Sequence, residues 1–226
     1  MLHLLYLRLE DFAMFQVIIT ILIGISGICW SIVYIECIRN GFKQKTYCMP
    51  LFVLALNFAW EGIYAYTDLF IRHNIGAQAI ANSCWFILDI FIVITWLKYG
   101  RKDFTGAKKK FFIPWTLLVI ITAFVLQILF IYEFGNVEGE KYSAYLQNIA
   151  MSLSFLALLD KRKSSEGQTM TIAICKCIGT LTPTIYGALE GNMFILISGA
   201  ICFIFDFIYI GYLYKVKSSE KRILVA

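Results

Sequence analysis

Four ionisable side chains sit where an apolar chain should carry none. Glu61, Asp89, Lys176 and Asp206 each fall inside a long hydrophobic run. A carboxylate or ammonium at the centre of a bilayer costs about 2.5–3.5 kcal/mol on insertion scales, so such residues face a protein interior and are functional candidates by default. At 1.5 Å per residue, Glu61 and Asp89 lie near the middle of their runs, whereas Asp206 and Lys176 lie toward one end. Glu36 and Glu190 sit at run ends, where interfacial water reaches them.

Helical spacing surrounds these groups with aromatics. Asn57, Glu61, Tyr64 and Asp68 share one face, with Trp60 adjacent. Trp85, Asp89 and Trp96 share another. So do Lys176, Thr180, Pro183 and Tyr186, and likewise Cys202, Asp206 and Tyr209. If the faces converge, they enclose an apolar, aromatic cavity with a few carboxyl groups. A carboxylic acid held away from water keeps its proton near neutral pH. It can pass that proton to a weakly basic group such as an alkene or epoxide. The cation that results needs surroundings that are apolar yet electron-rich, which Trp and Tyr faces supply. A plainer reading stands beside this one: an acid and Lys176 could form a buried ion pair that pins two helices.

The elements that must position these residues follow from composition. The chain has 226 residues, 60% hydrophobic and 15% charged, with a mean hydropathy of +0.73. A soluble domain is about 45–50% apolar and about 25% charged. Apolar runs predict helices over 12–38, 49–70, 77–97, 111–131, 142–159, 169–189 and 193–214. The fold class expected is therefore all-α, a seven-transmembrane-helix bundle forming a single membrane domain over 1–226. The first run has no small-residue cleavage site ahead of it and reads as a retained helix.

The formal charge of +5 does not point to nucleic acid, because the basic residues punctuate the apolar runs. Sixteen of the 20 Lys and Arg fall in the first, third and fifth loops and the C-terminal tail. The positive-inside rule then puts the N-terminus outside and the C-terminus in the cytosol. Cys29, Cys37, Cys48, Cys84, Cys175, Cys177 and Cys202 read as free thiols, and the CxC around Lys176 lacks the partners of a zinc site.

The segment Asn57-Phe-Ala-Trp60-Glu61-Gly-Ile-Tyr64 resembles the N-x-x-W-E-x-x-Y element of the small integral-membrane terpene cyclases. These are the paxilline-type (PaxB-like) enzymes of fungal indole diterpene and meroterpenoid pathways, with bacterial relatives. The resemblance implies seven membrane helices and two key acids, a Glu in the second helix and an Asp in the last. They fall on Glu61 and on Asp206 within Phe205-Asp206-Phe207-Ile208-Tyr209. Trp85-x-x-x-Asp89 also looks like the family. The implied reaction is protonation of a prenyl-chain epoxide or terminal alkene, then polyene cyclisation.

Glu61 and Asp206 are thus the candidates for proton donor and for its hydrogen-bonded partner or electrostatic support, with Asp89 a third. Asn57 is expected to orient Glu61. Trp60, Tyr64, Trp85, Tyr186 and Tyr209 are the candidate substrate-binding residues. Neither DDxxD, DxDD nor a glycine-rich phosphate loop occurs, so no metal and no cofactor is expected. The partners expected are a lipophilic prenylated substrate, the bilayer, and a pathway prenyltransferase or epoxidase. The membrane would be the plasma membrane in a bacterium and the endoplasmic reticulum in a fungus. The alternatives are a small-solute or proton-coupled transporter, since membrane acids also mark ion paths, a receptor or scaffold, and a retinal protein. Retinal needs a deep lysine in the last helix, and none precedes Lys215 there.

Overall fold

A computed structural model describes the backbone of residues 2–225 and the side chains of residues 13–223. Arg8, Phe12 and the side chains that bear on a retained first helix lie outside the described side chains, as do the two terminal residues of the expected domain. Six α-helices account for most of the chain: α1 (Leu2–Gln44), α2 (Leu51–Tyr66), α3 (Ala77–Tyr99), α4 (Phe112–Arg162), α5 (Met170–Leu189) and α6 (Met193–Val225). No strand occurs among the described residues. Among the described residues, five helices are long and apolar enough to cross a membrane. A sixth, α2, is short, but a π-helical turn, Thr67–Ile71, continues it. Together residues 51–71 reach roughly 30 Å at 1.5 Å per residue.

The helix count differs from the seven expected, for a local reason. Helical hydrogen bonding resumes on both sides of Gly135, so the segments expected at 111–131 and 142–159 belong to one 51-residue element. That element is not straight. Gly135 has φ 74° and ψ 173°, a backbone state that disfavours any residue with a Cβ. Gln127 Nε2 donates to Gln147 Oε1 at 3.3 Å. Twenty residues of straight helix would separate the two by about 30 Å. The chain therefore doubles back at Gly135, with limbs over 112–134 and 136–162.

Sequence neighbours pack against each other, α2 on α3 and α5 on α6, and α1 closes the bundle against α3 and α5. α4 packs on α2 and α6, and its second limb meets α2 at Ser143 and α6 at Phe155. The apolar core follows from that layout: Val33, Leu54, Ile92, Met151, Phe155, Ile172 and Leu213 are all buried. The outside is also apolar, with Ile28, Phe70, Leu118, Ile121 and Phe207 among many exposed hydrophobic side chains. A surface of that kind suits lipid and not water. All seven cysteines are free, and the buried Cys37 and Cys48 thiols touch.

The loops at one end are tied together by charge. Asp103 accepts from Tyr47 at 2.5 Å and from Lys161 at 2.7 Å. The Arg162 guanidinium stacks 4.3 Å above the Tyr47 ring and donates to the Tyr47 and Glu166 carbonyls. This latch joins the first, third and fifth loops, the three that carry most of the basic residues.

Candidate active site

The proline at 183 is where the site begins. Pro183 has no N–H, so the Gly179 carbonyl one turn earlier loses its helical donor. Ser26 Oγ, from α1, donates to that carbonyl at 2.7 Å. The freed carbonyl is thus satisfied across a helix pair, as a membrane interior requires. Gly179 itself has no side chain to hold α1 away. A Cβ there would lie 3.0 Å from the Trp30 indole. Ser26, Trp30, Gly179 and Pro183 together form one wall of a cavity of about 170 Å³. That is several times a water's share of liquid volume, about 30 Å³.

The rest of the wall is aromatic and amide-rich. Trp60 of α2, Trp85 of α3 and Tyr145 of α4 complete an aromatic lining with Trp30 and Tyr34 of α1. Two indole N–H groups are bonded within the protein. Trp85 Nε1 donates to Ser31 Oγ at 3.1 Å, and Trp60 Nε1 donates to the Glu140 carbonyl at 3.1 Å. Their edges are therefore fixed. Ring faces of this kind stabilise cations.

Glu61 lines the cavity, and three helices serve its carboxyl. Asn57, one turn back on α2, donates through Nδ2 to Glu61 Oε1 at 3.1 Å and to Asp89 Oδ2 of α3 at 3.0 Å. The Tyr34 hydroxyl of α1 donates to Glu61 Oε1 and accepts from Asn57 Nδ2. Behind Asn57 a chain of amides points the same way. Gln127 Nε2 donates to Gln147 Oε1, and Gln147 Nε2 donates to Asn57 Oδ1 at 3.5 Å. Aligned amides polarise one another and strengthen the last donor. Glu61, Asp89, Asn57 and Tyr34 are all buried, at 5% exposure or less. No lysine or arginine reaches Glu61 or Asp89 among the described residues. Two carboxylates around one amide with no counter-cation cannot both be charged in such surroundings. Glu61 Oε2 and Asp89 Oδ1 meet no side-chain or backbone donor among the described residues.

The sequence candidates divide accordingly. Glu61, Asn57, Trp60 and Trp85 lie on the cavity wall, and Asp89 lies behind it, joined to Glu61 through Asn57. Asp206 is elsewhere. It accepts from Lys176 Nζ through both oxygens, at 2.7 and 2.9 Å, and Lys176 also donates to Ser152 at 2.7 Å. Both members of this ion pair are fully buried, and neither lines the cavity. The pinning pair is therefore present between α5 and α6. Tyr64 bonds to Ser143 at 3.4 Å, Tyr209 packs on Phe155, and Tyr186 donates to Glu190 at a helix end; none of the three lines the cavity. Asp68 leaves the Glu61 face to pair with Arg72 at 2.7 Å.

Trp30, Tyr34, Tyr145 and Gln147 were missed. The signal available for the first two was an i, i+4 aromatic pair, Trp30 and Tyr34, in the middle of the first run. No ionisable residue in that stretch drew attention to it.

A buried acid beside an aromatic-walled cavity in a membrane bundle suits a cyclase, and comparison with known proteins decides the family. The family model for Pyr4-like transmembrane terpene cyclases matches residues 7–219. The chain belongs to that family. Terpene cyclase pyr4 of Aspergillus fumigatus is 27% identical over 211 residues, covering 87% of this chain and 86% of that one. The Pyr4-family terpene cyclase mfmH of Annulohypoxylon moriforme is 31% identical over 163 residues, covering 71% and 66%. Terpene cyclase ascF of Acremonium egyptiacum is 26% identical over 226 residues, covering 88% and 81%. No solved structure matches the chain. As a Pyr4-like cyclase this is an integral-membrane enzyme that cyclises a terpenoid chain, and the transporter, receptor and retinal readings give way to that.

Proposed function

We propose that Glu61 protonates the terminal alkene or epoxide of a prenylated, meroterpenoid-type substrate. The polyene then cyclises inside the aromatic cavity without a metal. The observation that carries this reading is the place of Glu61: a buried carboxylic acid without a basic partner among the described residues, on a residue that lines a cavity walled by three tryptophans. Asp89 and Asn57 keep the proton available. Trp30, Trp60 and Trp85 bind the chain and stabilise successive cations. Each cation–π contact contributes about 0.5–2 kcal/mol, so the three faces act on every intermediate that passes. Asp206 supplies long-range electrostatic support from its ion pair, and Glu61 is the donor.

The doubled-back α4 supports seven crossings, with the N-terminus outside and the C-terminus in the cytosol. Residues 112–134 and 136–162 are each about 34–40 Å long, enough to span. The basic latch around Asp103 then lies on the cytosolic side, in accord with the positive-inside rule. The membrane is the endoplasmic reticulum in a fungal cell and the plasma membrane in a bacterial one. A prenyltransferase supplies the substrate, and an epoxidase precedes this enzyme where the substrate is an epoxide.

Membranes carrying the protein, treated with EDTA, test this directly. They are incubated with farnesylated and geranylgeranylated phenols, each as the alkene and as the terminal epoxide. Chromatography with mass detection should reveal a new product of unchanged mass from at least one of them. Product that appears only when magnesium is restored would contradict the metal-free mechanism.

A further inference from the structure

Tyr34 decides which oxygen of Glu61 carries the proton. The inference rests on the proposed donor role of Glu61 and concerns a residue on another helix. Glu61 Oε1 is approached by two donors, the Tyr34 hydroxyl and Asn57 Nδ2. Asn57 Nδ2 has two hydrogens to share among Tyr34, Glu61 and Asp89. Its supply is therefore divided. The Tyr34 hydroxyl has one hydrogen, and it is directed at Glu61. An oxygen that accepts such a bond is the carbonyl oxygen of the acid. The other oxygen, Oε2, then holds the hydrogen; Oε2 and Asp89 Oδ1 are the two carboxyl oxygens of the cluster that no other donor reaches among the described residues.

The tyrosine is held for this task. Its ring lies nearly parallel to Trp85, with centroids 6.1 Å apart and planes 10° apart, and Trp30 meets it edge-on at 6.4 Å. The phenol is almost fully buried, at 2% exposure. It cannot swing away from Glu61 without displacing two indoles of the cavity wall.

We propose that Tyr34 is a positioning residue. It fixes the transferable proton of Glu61 on Oε2, and it stabilises the carboxylate left behind once that proton has gone. The second role follows from charge: a hydrogen bond to a carboxylate is about twice as strong as one to a neutral acid. The bond tightens as the proton leaves, so it favours the transition state over the resting acid. No group is gained or lost in this step. The O–H bond of Glu61 breaks as a C–H bond, or an O–H bond on the epoxide oxygen, forms.

Infrared difference spectroscopy tests this without a substrate. The wild type minus Glu61→Gln spectrum of the purified protein identifies the carbonyl stretch of the protonated Glu61. In Tyr34→Phe that band should move to higher wavenumber, because the carbonyl oxygen has lost its donor. With 3-fluorotyrosine at position 34, a stronger donor of similar shape, the band should move the other way. That second protein keeps the test open if Tyr34→Phe fails to assemble. A band that stays in place in either protein overturns the proposal. So does a difference spectrum with no carboxylic acid band for Glu61. Where an alkene or epoxide from the phenol panel turns over, Tyr34→Phe should lower kcat about 10- to 100-fold, less than the roughly 10²–10⁴ lost with a general acid itself, and leave KM within about twofold. A changed KM with unchanged kcat would overturn the catalytic half of the proposal. Failure of the wild type to turn over any probe would count against the proposed substrates and leave the infrared result standing.

Discussion

Glu61→Gln should abolish product formation in a protein that still inserts, purifies and unfolds at close to the wild-type temperature. The amide keeps the shape of the side chain and can still accept from Tyr34 and Asn57 at the carbonyl oxygen. What it lacks is an acidic hydrogen. A positioned general acid is worth about 10²–10⁴ in rate. Here the acid also creates the reactive cation, so the loss should reach the limit of detection. Asp89→Asn should cost less. Asp89 touches Glu61 through Asn57 and does not line the cavity. The check is product per enzyme, by chromatography, from membranes with matched protein content. Equal turnover by Glu61→Gln would remove Glu61 from the reaction.

Lys176→Met should be among the most destabilising single changes in the chain. Lys176 and Asp206 are 0% and 1% exposed at the side chain and lie 2.7 Å apart. The replacement leaves Asp206 buried and without its cation. Breaking a buried pair in this way costs about 3–5 kcal/mol. Removing both charges, in Lys176→Met with Asp206→Leu, should restore most of the loss, since well-packed apolar residues replace such pairs at little cost. Reversible denaturation in mixed micelles measures both variants. A single variant as stable as the wild type, or a double variant no better than the single, would contradict the pinning role. The double variant also separates stability from catalysis. If it folds but turns over slowly, Asp206 acts on the reaction through its charge.

The link between Asn57 and Glu61 was readable because both lie on one helix, and helical geometry fixes a pair four residues apart. The grouping of Glu61 with Asp206 rested on the family resemblance. Whether acids on different helices meet depends on how each helix is rotated about its axis, and apolar runs exposed to lipid carry little periodicity to show that rotation. Lys176 resolves it in the structure by claiming Asp206. Tyr34 and Trp30 were invisible for a related reason. In a run such as Ile28–Tyr34, aromatic residues that pack, anchor or line a cavity look alike in sequence. The fifth run appeared short because Glu138, Glu140 and Lys141 interrupt its hydropathy. The helix nonetheless starts just after Gly135, and Trp60 docks on the Glu140 carbonyl.

The most direct test of acid initiation is the fate of the proton. Wild-type membranes equilibrated in D₂O would be given an alkene-terminated substrate from the panel, and the product would be washed back into H₂O before mass analysis. The mechanism predicts one non-exchangeable deuterium per product molecule, on the carbon of the former terminal alkene. Product formed with no deuterium on carbon would mean that something other than an exchangeable acid begins the cyclisation.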